Sequence, residues 1–411
     1  MDETTHSLKR QAAGRRTGNH ARSHASRLAL AVTTLSLVAS GLTTSQAASA
    51  RGHSRLEVVP APQVVTQEPA NSSETACLVD VATGRVLYEK HGDRRMRIAS
   101  LTKIVTAWIA VRSGKLDQVV TASPNATRQE GSSIYLAKGE RQTLRALTYA
   151  LMMRSGNDAA MAIAEFLDGS EAKFAEHMNR EVRSLGLTHT HFMNPHGLDH
   201  DEHFSTAHDM GVITATALRV PEFHRIVSTK FYTIPMPGET WDRKLRNKNK
   251  LLWMMPDADG VKTGYTKKAG RCLASSATRD GHQVALVLLR DGNDWIDSIH
   301  LLTYGLTGFN RTNIGQLARP AFTTNVRYGV VDRVRLQPTG TLVYPVRPDE
   351  VAEIVTTAHT RPLGAPVRKG QVAGSVDYQL HGVKVGTLPL VAAEAVEPKG
   401  LWGRIRGLFA R

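Results

Sequence analysis

The order of strand-like and helix-like segments along the chain is the feature that most constrains its fold. Residues 76–81 and 86–89 are mostly apolar or β-branched and lie on either side of a turn, which predicts a hairpin. Further strand-like segments occur within residues 258–290. Apolar residues at helical spacing fill the region between them, at 101–109, 141–167 and 171–185. Strands first, helices in the middle and strands last predict one α/β domain whose sheet is closed by both ends of this region.

The character of the sequence changes near residue 317. Short alternating runs rich in Val, Thr, Gly and Pro follow, for example at 331–336 and 376–380. Such runs, separated by turn residues, are typical of strands. We therefore predict a first domain at 74–316 and a small β-rich domain at 317–396.

The N-terminus has the pattern of a secretory signal peptide. Residues 1–27 are polar and basic, residues 28–42 are apolar, and small residues follow up to Ala50. The apolar run is too short to span a bilayer comfortably, although an uncleaved N-terminal anchor remains an alternative. We predict a signal peptide at 1–50 and a linker rich in Pro, Val, Gln and Ser at 51–73.

Composition excludes several classes of protein. Two cysteines among 411 residues exclude a disulfide scaffold and a cysteine-based zinc or iron–sulfur cluster. The chain has 52 Lys and Arg against 37 Asp and Glu, a formal charge of +15, which suits nucleic acid, anionic lipid or an acidic substrate. An exported protein meets little nucleic acid, and no basic stretch is interleaved with aromatic residues. We therefore expect no nucleic-acid partner.

The residues Ser-Leu-Thr-Lys at 100–103 open the first helical segment. A serine at a helix N-terminus lies at the positive end of the helix dipole, and a lysine three residues later lies on the same face. Apolar surroundings disfavour the charged form of a lysine, so Lys103 can act as a base toward Ser100. The pattern is weak alone, because Ser170 and Lys173 have the same spacing in a polar stretch.

Two further motifs carry polar groups suited to a cleft. Ser155 and Asn157 lie between apolar helical segments, where they can line a cleft or simply cap a helix. Lys262 and Thr263 lie on a strand and can bind a carboxylate, and Gly264 lets a peptide lie close to that strand, although a turn at a strand end also explains the three residues. The three motifs together, each in a suitable local context, are far more specific than any one of them.

This motif set resembles that of the active-site-serine penicillin-recognising enzymes. The chain is most similar to the serine-type D-alanyl-D-alanine carboxypeptidases, which are low-molecular-mass penicillin-binding proteins. The resemblance implies an α/β fold with a β-lactamase/transpeptidase-like domain, in which helices flank an antiparallel sheet and form a helical subdomain, followed by the β-rich domain. The similar blocks lie at 84–89, 97–104, 153–160, 191–198 and 247–252.

The resemblance also implies a role for each motif residue. Lys103 would take the proton of Ser100, which attacks the carbonyl between the last two D-alanines of a peptidoglycan stem peptide, and Ser155 would pass a proton to the leaving D-alanine. Water would then hydrolyse the acyl-enzyme without a metal or organic cofactor. β-Lactams would acylate the same serine. The residues implied to contact the substrate are Asn157, Lys262, Thr263, Gly264 and Tyr265, with the backbone N–H groups of Ser100 and Tyr265 holding the oxyanion.

Two other functions use or retain the same residues. A D,D-endopeptidase would cut wall cross-links with them, and a non-catalytic wall-binding protein would keep a vestigial site. The β-rich domain favours the carboxypeptidase, and the intact motif set argues against the binding protein. Class A β-lactamases carry a Glu-x-x-Leu-Asn segment for fast deacylation. The sequence has no such segment between the second and third motifs, which argues against a class A β-lactamase. Tyr265 stands where many family members have His, which leaves the pH profile open.

The histidine-rich stretch at 191–208 and the two cysteines are the remaining reactive groups. A metal site in the stretch is conceivable, but a polar loop near the cleft explains it as well, and we expect no metal. In the family sheet another strand separates the strands of Cys77 and Cys272. The resemblance therefore implies a separation too long for a disulfide, with both thiols free.

The C-terminal residues 397–411 predict an amphipathic tail. Leu401, Ile405 and Leu408 share one helical face, and no acidic residue follows Glu397. We predict that residues 398–411 bind an anionic membrane surface, which would place an exported enzyme on the periplasmic face of the inner membrane. A tail packed on the second domain, or a frayed end, remains an alternative because glycines weaken the helix.

Overall fold

The structure is a computed structural model that describes residues 67–236, 238–317 and 321–400. The predicted signal peptide and most of the predicted linker and tail lie outside these residues. The α-helices are α1 Lys103–Arg112, α2 Leu144–Arg154, α3 Asn157–Asp168, α4 Glu171–Ser184, α5 Ala207–Leu218, α6 Pro221–Ser228, α7 Leu251–Met254, α8 Asp294–Gly308 and α9 Ile314–Leu317. In the part of the chain that is described, no helix combines the length and the apolar character needed to cross a membrane.

The strands form two main sheets and three short pairs. The five-stranded sheet has the order β2-β1-β9-β8-β7, and the six-stranded sheet has the order β14-β16-β17-β12-β11-β15. The strands are β1 Thr75–Asp80, β2 Val86–Lys90, β3 Val119–Thr121, β4 Arg141–Thr143, β5 Phe231–Ile234, β6 Arg243–Arg246, β7 Ala258–Thr266, β8 Gly270–Arg279, β9 His282–Leu289, β10 Asn310–Asn313, β11 Phe322–Arg327, β12 Arg333–Pro338, β13 Val343–Val346, β14 Val355–Thr360, β15 Leu363–Gly364, β16 Val372–Leu380 and β17 Val383–Ala392.

The first sheet is antiparallel, and the early strand β1 pairs with the late strand β9. The predicted closure of the sheet by both ends of the region is therefore confirmed, as is the antiparallel sheet flanked by helices. The last residues before β1 are held to the same domain, because the hydroxyl of Ser72 donates to Asp291 and Asp297 at 2.7 Å each. These contacts lie at the end of the predicted linker.

Both faces of this sheet are buried, and alternate residues of each strand serve opposite faces. On β1, Ala76 and Leu78 belong to the same apolar cluster as Leu301 of α8, whereas Cys77 and Val79 belong to the cluster around α1 to α6. A strand covered on both faces has no polar side to alternate with. The continuous apolar character of residues 76–79 in the sequence follows from this three-layer arrangement.

The helical region between β2 and β7 is broken where the sequence predicts a loop. The apolar run at 141–167 divides into α2 and α3, because Ser155 adopts a left-handed conformation with φ +65° and Gly156 precedes the first turn of α3. The predicted inter-helix loop is confirmed. It turns the chain sharply and leaves Ser155 and Asn157 at the junction of two buried helices.

The predicted strand order around the cysteines is also confirmed. Cys77 lies on β1 and Cys272 on β8, and β9 runs between them. Both cysteines are buried and free.

The β-rich region is joined to the first sheet by a partly buried arginine. Arg85, in the turn between β1 and β2, donates to Glu350 at 2.5 Å and to the Pro345 carbonyl. The guanidinium also lies over the rings of Phe309 and Tyr344, at 5.3 and 5.4 Å from their centroids. Cation–π contacts and an ion pair at one arginine fasten the hairpin to β13 and to the turn that follows it.

Candidate active site

Ser100 lies in a tight turn that two glycines allow. The chain forms a 3₁₀ turn at Ala99–Thr102 before α1, and Ala99 has φ +48°. A Cβ on Gly197 would lie 1.9 Å from the Ala99 carbonyl oxygen. A Cβ on Gly264 would lie 3.1 Å from the Ile98 carbonyl oxygen and 3.3 Å from the Ser100 nitrogen. The missing side chain of Gly264 thus lets β7 approach the serine turn, a role that the sequence analysis assigned only to contact with a peptide.

Lys103 is fully buried directly behind the serine. Its Nζ donates to the Ser100 Oγ at 3.0 Å. It also donates to the Asn157 Oδ1 at 2.7 Å and to the His196 carbonyl at 2.5 Å. The structure therefore brings one residue from each of the first two motifs, Ser100 and Asn157, and one loop that carries no motif residue onto a single amine.

Burial lowers the pKa of Lys103 well below its usual range, and the positive charges of Lys262 and Lys248 lower it further. Desolvation disfavours the charged amine, and like charges nearby act in the same direction. The neutral form is the one that accepts a proton. The 3.0 Å contact with Ser100 gives it a donor at hydrogen-bonding distance.

The first turn of α3 orders the loop opposite the serine. The Nδ2 of Asn157 donates to the Glu130 carbonyl. The next residue, Asp158, accepts hydrogen bonds from the Ser133 hydroxyl at 2.6 Å and from the Leu136 N–H at 3.1 Å. A carboxylate that accepts several hydrogen bonds at a helix N-terminus fixes both the helix and the loop. Asn157 is thereby held between Lys103 and the loop.

An open cleft of about 490 Å³ lies above these groups. It places the hydroxyl-bearing Ser100 and Ser155, from the first two motifs, beside Thr263 and Tyr265 from the third. Lys103, Asn157 and Lys262 lie buried next to it rather than on its surface. The full set of lining residues is Ser100, Ser132, Ser155, Lys248, Thr263, Gly264, Tyr265, Arg271, Cys272, Asp294 and Trp295.

The third motif lies on β7, which is the edge strand of the first sheet within the described residues. Lys262 is buried, and its Nζ donates to the Thr263 carbonyl at 2.7 Å. Burial lowers the pKa of Lys262 to about 7, with a further contribution from the charge of Lys248. Tyr265 is 66% exposed, so its ring lies at the surface of the cleft, in contrast to the buried Lys262.

The buried histidines of the 191–208 stretch support the serine turn. The Nδ1 of His203 accepts from the Met193 N–H at 3.1 Å, so Nε2 carries the proton and donates to the Thr102 hydroxyl at 2.7 Å. Thr102 in turn donates to the Ala99 carbonyl at 3.0 Å. Burial lowers the pKa of His203 to about 3, which keeps the ring neutral. This histidine therefore buttresses the turn through a directional hydrogen-bond chain.

Ser170, which shares the Ser-x-x-Lys spacing, lies outside this cluster. It is the N-cap of α4, and its hydroxyl accepts from the Lys173 N–H at 3.3 Å. The Lys173 side chain is exposed. Ser170 therefore acts as a helix cap.

Comparison with known proteins identifies the family. Residues 62–293 match the family described as D-alanyl-D-alanine carboxypeptidase, peptidase family S11. The chain is 32% identical to the D-alanyl-D-alanine carboxypeptidase DacC of Escherichia coli K12 over 365 residues, which covers 84% of this chain and 89% of DacC. The chain belongs to the D-alanyl-D-alanine carboxypeptidase family. It is a serine-type carboxypeptidase, and the relatives do not favour the endopeptidase or the non-catalytic protein.

Further similarities cover the second sheet as well. Residues 320–398 of the carboxypeptidase match the C-terminal domain of penicillin-binding protein 5. The crystal structure of penicillin-binding protein 5 from Haemophilus influenzae matches with a TM-score of 0.64 and 30% identity, covering 81% of this chain and all of that one. DacF of Bacillus subtilis is 29% identical over 82% of this chain and 88% of its own length. The predicted fold class is thus confirmed in both of its parts.

Lys248 is the cleft residue of the carboxypeptidase to which the sequence analysis gave no role. Its Nζ lies 3.4 Å from the Ser132 hydroxyl, and burial followed by the charge of Arg154 lowers its pKa. Lys248 lies in one of the blocks that resemble the family, 247–252. Its position near Lys103 and Lys262, however, depends on contacts between segments far apart in the sequence. The Arg271–Asp294 ion pair and Trp295, which also line the cleft, lie outside the motifs as well.

We predict that Gly264→Ala strongly reduces the rate at which a penicillin acylates the carboxypeptidase, while the melting temperature changes little. The added Cβ meets the Ile98 carbonyl and the Ser100 nitrogen at 3.1–3.3 Å, so β7 and the serine turn must separate by a few tenths of an ångström. Displacements of this order in a catalytic arrangement reduce rates by roughly 10- to 100-fold. Labelling rates with a fluorescent penicillin, together with thermal melting, measure both effects. Gly292→Ala is the matched control, because a Cβ there meets nothing within 4 Å. Equal labelling rates in the two variants would contradict the prediction.

Proposed function

We propose that Ser100 is the nucleophile of this carboxypeptidase and that Lys103 is its general base. The observation that carries the proposal is the buried Nζ of Lys103 at 3.0 Å from the Ser100 Oγ. In the proposed reaction the neutral amine takes the hydroxyl proton as the oxygen attacks the carbonyl between two D-alanines of a stem peptide. Water then hydrolyses the resulting ester. Peptidoglycan stem peptides as substrates, and β-lactams as acylating inhibitors, fit the family.

We propose that the edge strand β7 and the serine turn bind the substrate between them. In the proposed complex the backbone N–H groups of Ser100 and Tyr265 hold the oxyanion, while Lys262 and Thr263 bind the terminal carboxylate. The closeness of β7 to Ser100 at Gly264 supports this arrangement, because both oxyanion donors then come from adjoining backbone segments. Lys248 is a further cation among the residues that line the cleft, and the Asp294 carboxylate there is paired with Arg271.

The proposed role of Ser155 is to return a proton to the leaving D-alanine. Its left-handed backbone turns it toward the cleft, where its hydroxyl is available to substrate. Asn157 is proposed to orient the substrate amide while its Oδ1 holds Lys103 at 2.7 Å. One junction between α2 and α3 thus supplies both a proton-transfer group and a positioning group.

We predict that Ser100→Ala abolishes both D-alanine release from a defined pentapeptide and covalent labelling by a fluorescent penicillin. Removing the attacking oxygen leaves no group that can form the ester. Ser170→Ala is the matched control and is expected to retain both activities, because Ser170 only caps α4. Mass spectrometry of the products and of the labelled peptide makes the measurement. Penicillin attached to the Ser100→Ala protein would rule out this assignment.

We predict that kcat/KM for the pentapeptide falls as the pH rises through about 7, the pKa to which burial lowers Lys262. Above that pH the free enzyme loses the ammonium that the substrate carboxylate needs. An arginine stays protonated at every accessible pH. Lys262→Arg should therefore move the alkaline limb of the profile to higher pH, even if its maximal rate is lower.

The control for this profile is Lys268→Arg, since Lys268 is exposed in the turn after β7. Its alkaline limb should match that of the unsubstituted enzyme. An alkaline limb that stays in place in Lys262→Arg would show that another group titrates there.

The domain limits and the location are also proposals. We propose a catalytic domain at 74–316 and a β-rich domain at 317–396, which the two family matches at 62–293 and 320–398 support. We further propose that the enzyme is exported through the signal peptide at 1–50 and held at the periplasmic face of the inner membrane by residues 398–411. The start of this tail is fixed to the β-rich domain, because the Lys399 N–H donates to the Tyr328 carbonyl at 2.8 Å.

We predict that truncation after Gly400 moves the enzyme from the membrane fraction to the soluble periplasmic extract. The truncation removes the apolar and basic residues of the tail and keeps the contact of Lys399 with Tyr328. Activity on soluble peptides should be unchanged. Fractionation followed by penicillin labelling compares the two chains, and identical partitioning would exclude the tail as an anchor.

A further inference from the structure

Three side chains that can ligate a metal, those of Cys77, Glu89 and His208, lie together near the edge of the first sheet opposite β7. The register of β1 and β2 places Cys77 directly opposite Glu89. Cross-strand partners project to the same face of a sheet. Their neighbours Ala76 and Lys90 form the adjacent pair, and Lys90 accordingly reaches the other face, where it donates to the carbonyls of Asn71 and Ser73. Cys77 and Glu89 therefore share a face without a lysine between them.

Helix α5 supplies the third group. The Nδ1 of His208, in its first turn, lies 2.8 Å from the Glu89 Oε1. Three residues later, a Cβ on Gly211 would lie 3.1 Å from the Cys77 Sγ, so the same helical face packs against the thiol. The Sγ of Cys77, a carboxylate oxygen of Glu89 and a ring nitrogen of His208 all lie within 4.8 Å of one another.

The cluster is open on one side and closed on the other. The side chains of Glu89 and His208 are about one third exposed, at 35% and 33%, whereas Cys77 is fully buried. Gly92 is packed so closely under the Glu89 carboxylate that a Cβ there would overlap it. A cation would therefore enter from the solvent side and meet the thiol last, with room for a water molecule as a further ligand.

The local charge favours a cation. Burial raises the pKa of the Cys77 thiol, and the negative charges of Glu89, Asp93 and Asp209 raise it further. The negative charges of these carboxylates repel a thiolate at Sγ. The same charges attract a divalent cation bound beside Sγ. The acidic surroundings thus favour the bound metal while they disfavour the free thiolate.

We propose that Cys77, Glu89 and His208 form a binding site for a borderline-soft divalent cation of the zinc class. A thiolate, an imidazole and a carboxylate are the donors that zinc combines, at roughly 2.0 to 2.3 Å each, which separates the donors by about 3.5 Å. Rotation of the exposed ends of Glu89 and His208 closes the present spacing. On binding, the thiol releases its proton to solvent and His208 binds as neutral imidazole.

The site is separate from the catalytic cleft, and it goes beyond the proposed function. In the sheet order, β9 and β8 lie between β1 and β7, so three strand spacings of about 14 Å in total separate the two strands. The metal would tie β1, β2 and α5 together. A ligand that binds only the folded chain raises its stability, and the increase grows with the logarithm of the ligand concentration above Kd. We therefore expect a stabilising role, distinct from acylation at Ser100.

The test is a titration of the full, chelator-treated chain with Co²⁺ and then Zn²⁺. We expect one Co²⁺ per chain, a thiolate-to-cobalt charge-transfer band in the near ultraviolet, loss of the band as Zn²⁺ displaces Co²⁺, and a higher melting temperature with Zn²⁺. Glu89→Gln and His208→Gln keep similar shapes and should weaken Zn²⁺ binding on the order of 100-fold. Cys77→Ser should remove the band altogether.

Two control variants contain the same chemical groups elsewhere. Cys272→Ser changes the other buried cysteine, and His200→Gln changes an exposed histidine of the same histidine-rich stretch. Both should keep the band and the affinity. Circular dichroism verifies that every variant is folded, and penicillin labelling adds the same check for all variants except Cys272→Ser, because Cys272 lines the catalytic cleft. The proposal is overturned if the unsubstituted chain gives no charge-transfer band, or if folded Glu89→Gln and His208→Gln proteins bind Zn²⁺ as tightly as it does.

Discussion

The burial of the Lys103 amine beside Ser100 is the constraint on which the rest of the active site depends. Placing an ammonium group in a dry interior is costly, and the cost is met either by hydrogen bonds or by loss of the proton. The structure uses both means. Asn157 and the His196 carbonyl occupy two directions around Nζ, and the third direction faces Ser100. The amine is thus oriented whether or not it is charged, so proton transfer needs no rearrangement of its partners.

Each partner of Lys103 is itself fixed by a distant part of the chain. Asn157 is held by the junction of α2 and α3, and the His196 carbonyl by the loop whose Gly197 packs on the Ala99 carbonyl. The serine turn is clamped from two sides, by Gly197 and by Gly264 of β7. Replacing either hydrogen by a methyl group would separate elements that must touch. Close backbone approach, rather than side-chain bulk, therefore sets the distances between Ser100, Lys103 and the edge strand β7.

The sequence predicts much of this arrangement but not the way its parts meet. The hairpin, the strands at 258–290 and the loop at Ser155 were predictable because each has a local pattern of apolar and turn residues. Ser100 and Ser170 share the Ser-x-x-Lys spacing, and the polar stretch around Ser170, the resemblance and the tertiary contacts distinguish them. Lys248 lies in one of the blocks that resemble the family, but its effect on the pKa of Lys103 and Lys262 arises from contacts between segments far apart in sequence. The buttress from His203 to Thr102 is invisible in sequence for the same reason.

The two buried lysines pose an electrostatic problem that the proposed substrate solves. Burial lowers the pKa of both Lys103 and Lys262, and the charge of Lys262 lowers that of Lys103 further. In the proposed mechanism Lys262 must be charged to bind a carboxylate, whereas Lys103 must be neutral to accept a proton. A substrate carboxylate bound to Lys262 stabilises that ammonium through a direct contact. The same carboxylate lies farther from Lys103, because the terminal residue of the substrate separates it from the scissile bond. Because Coulomb interactions fall with distance, binding favours protonation of Lys262 more than protonation of Lys103. Substrate binding thus places the charge on the lysine that holds it and leaves the neutral amine beside Ser100.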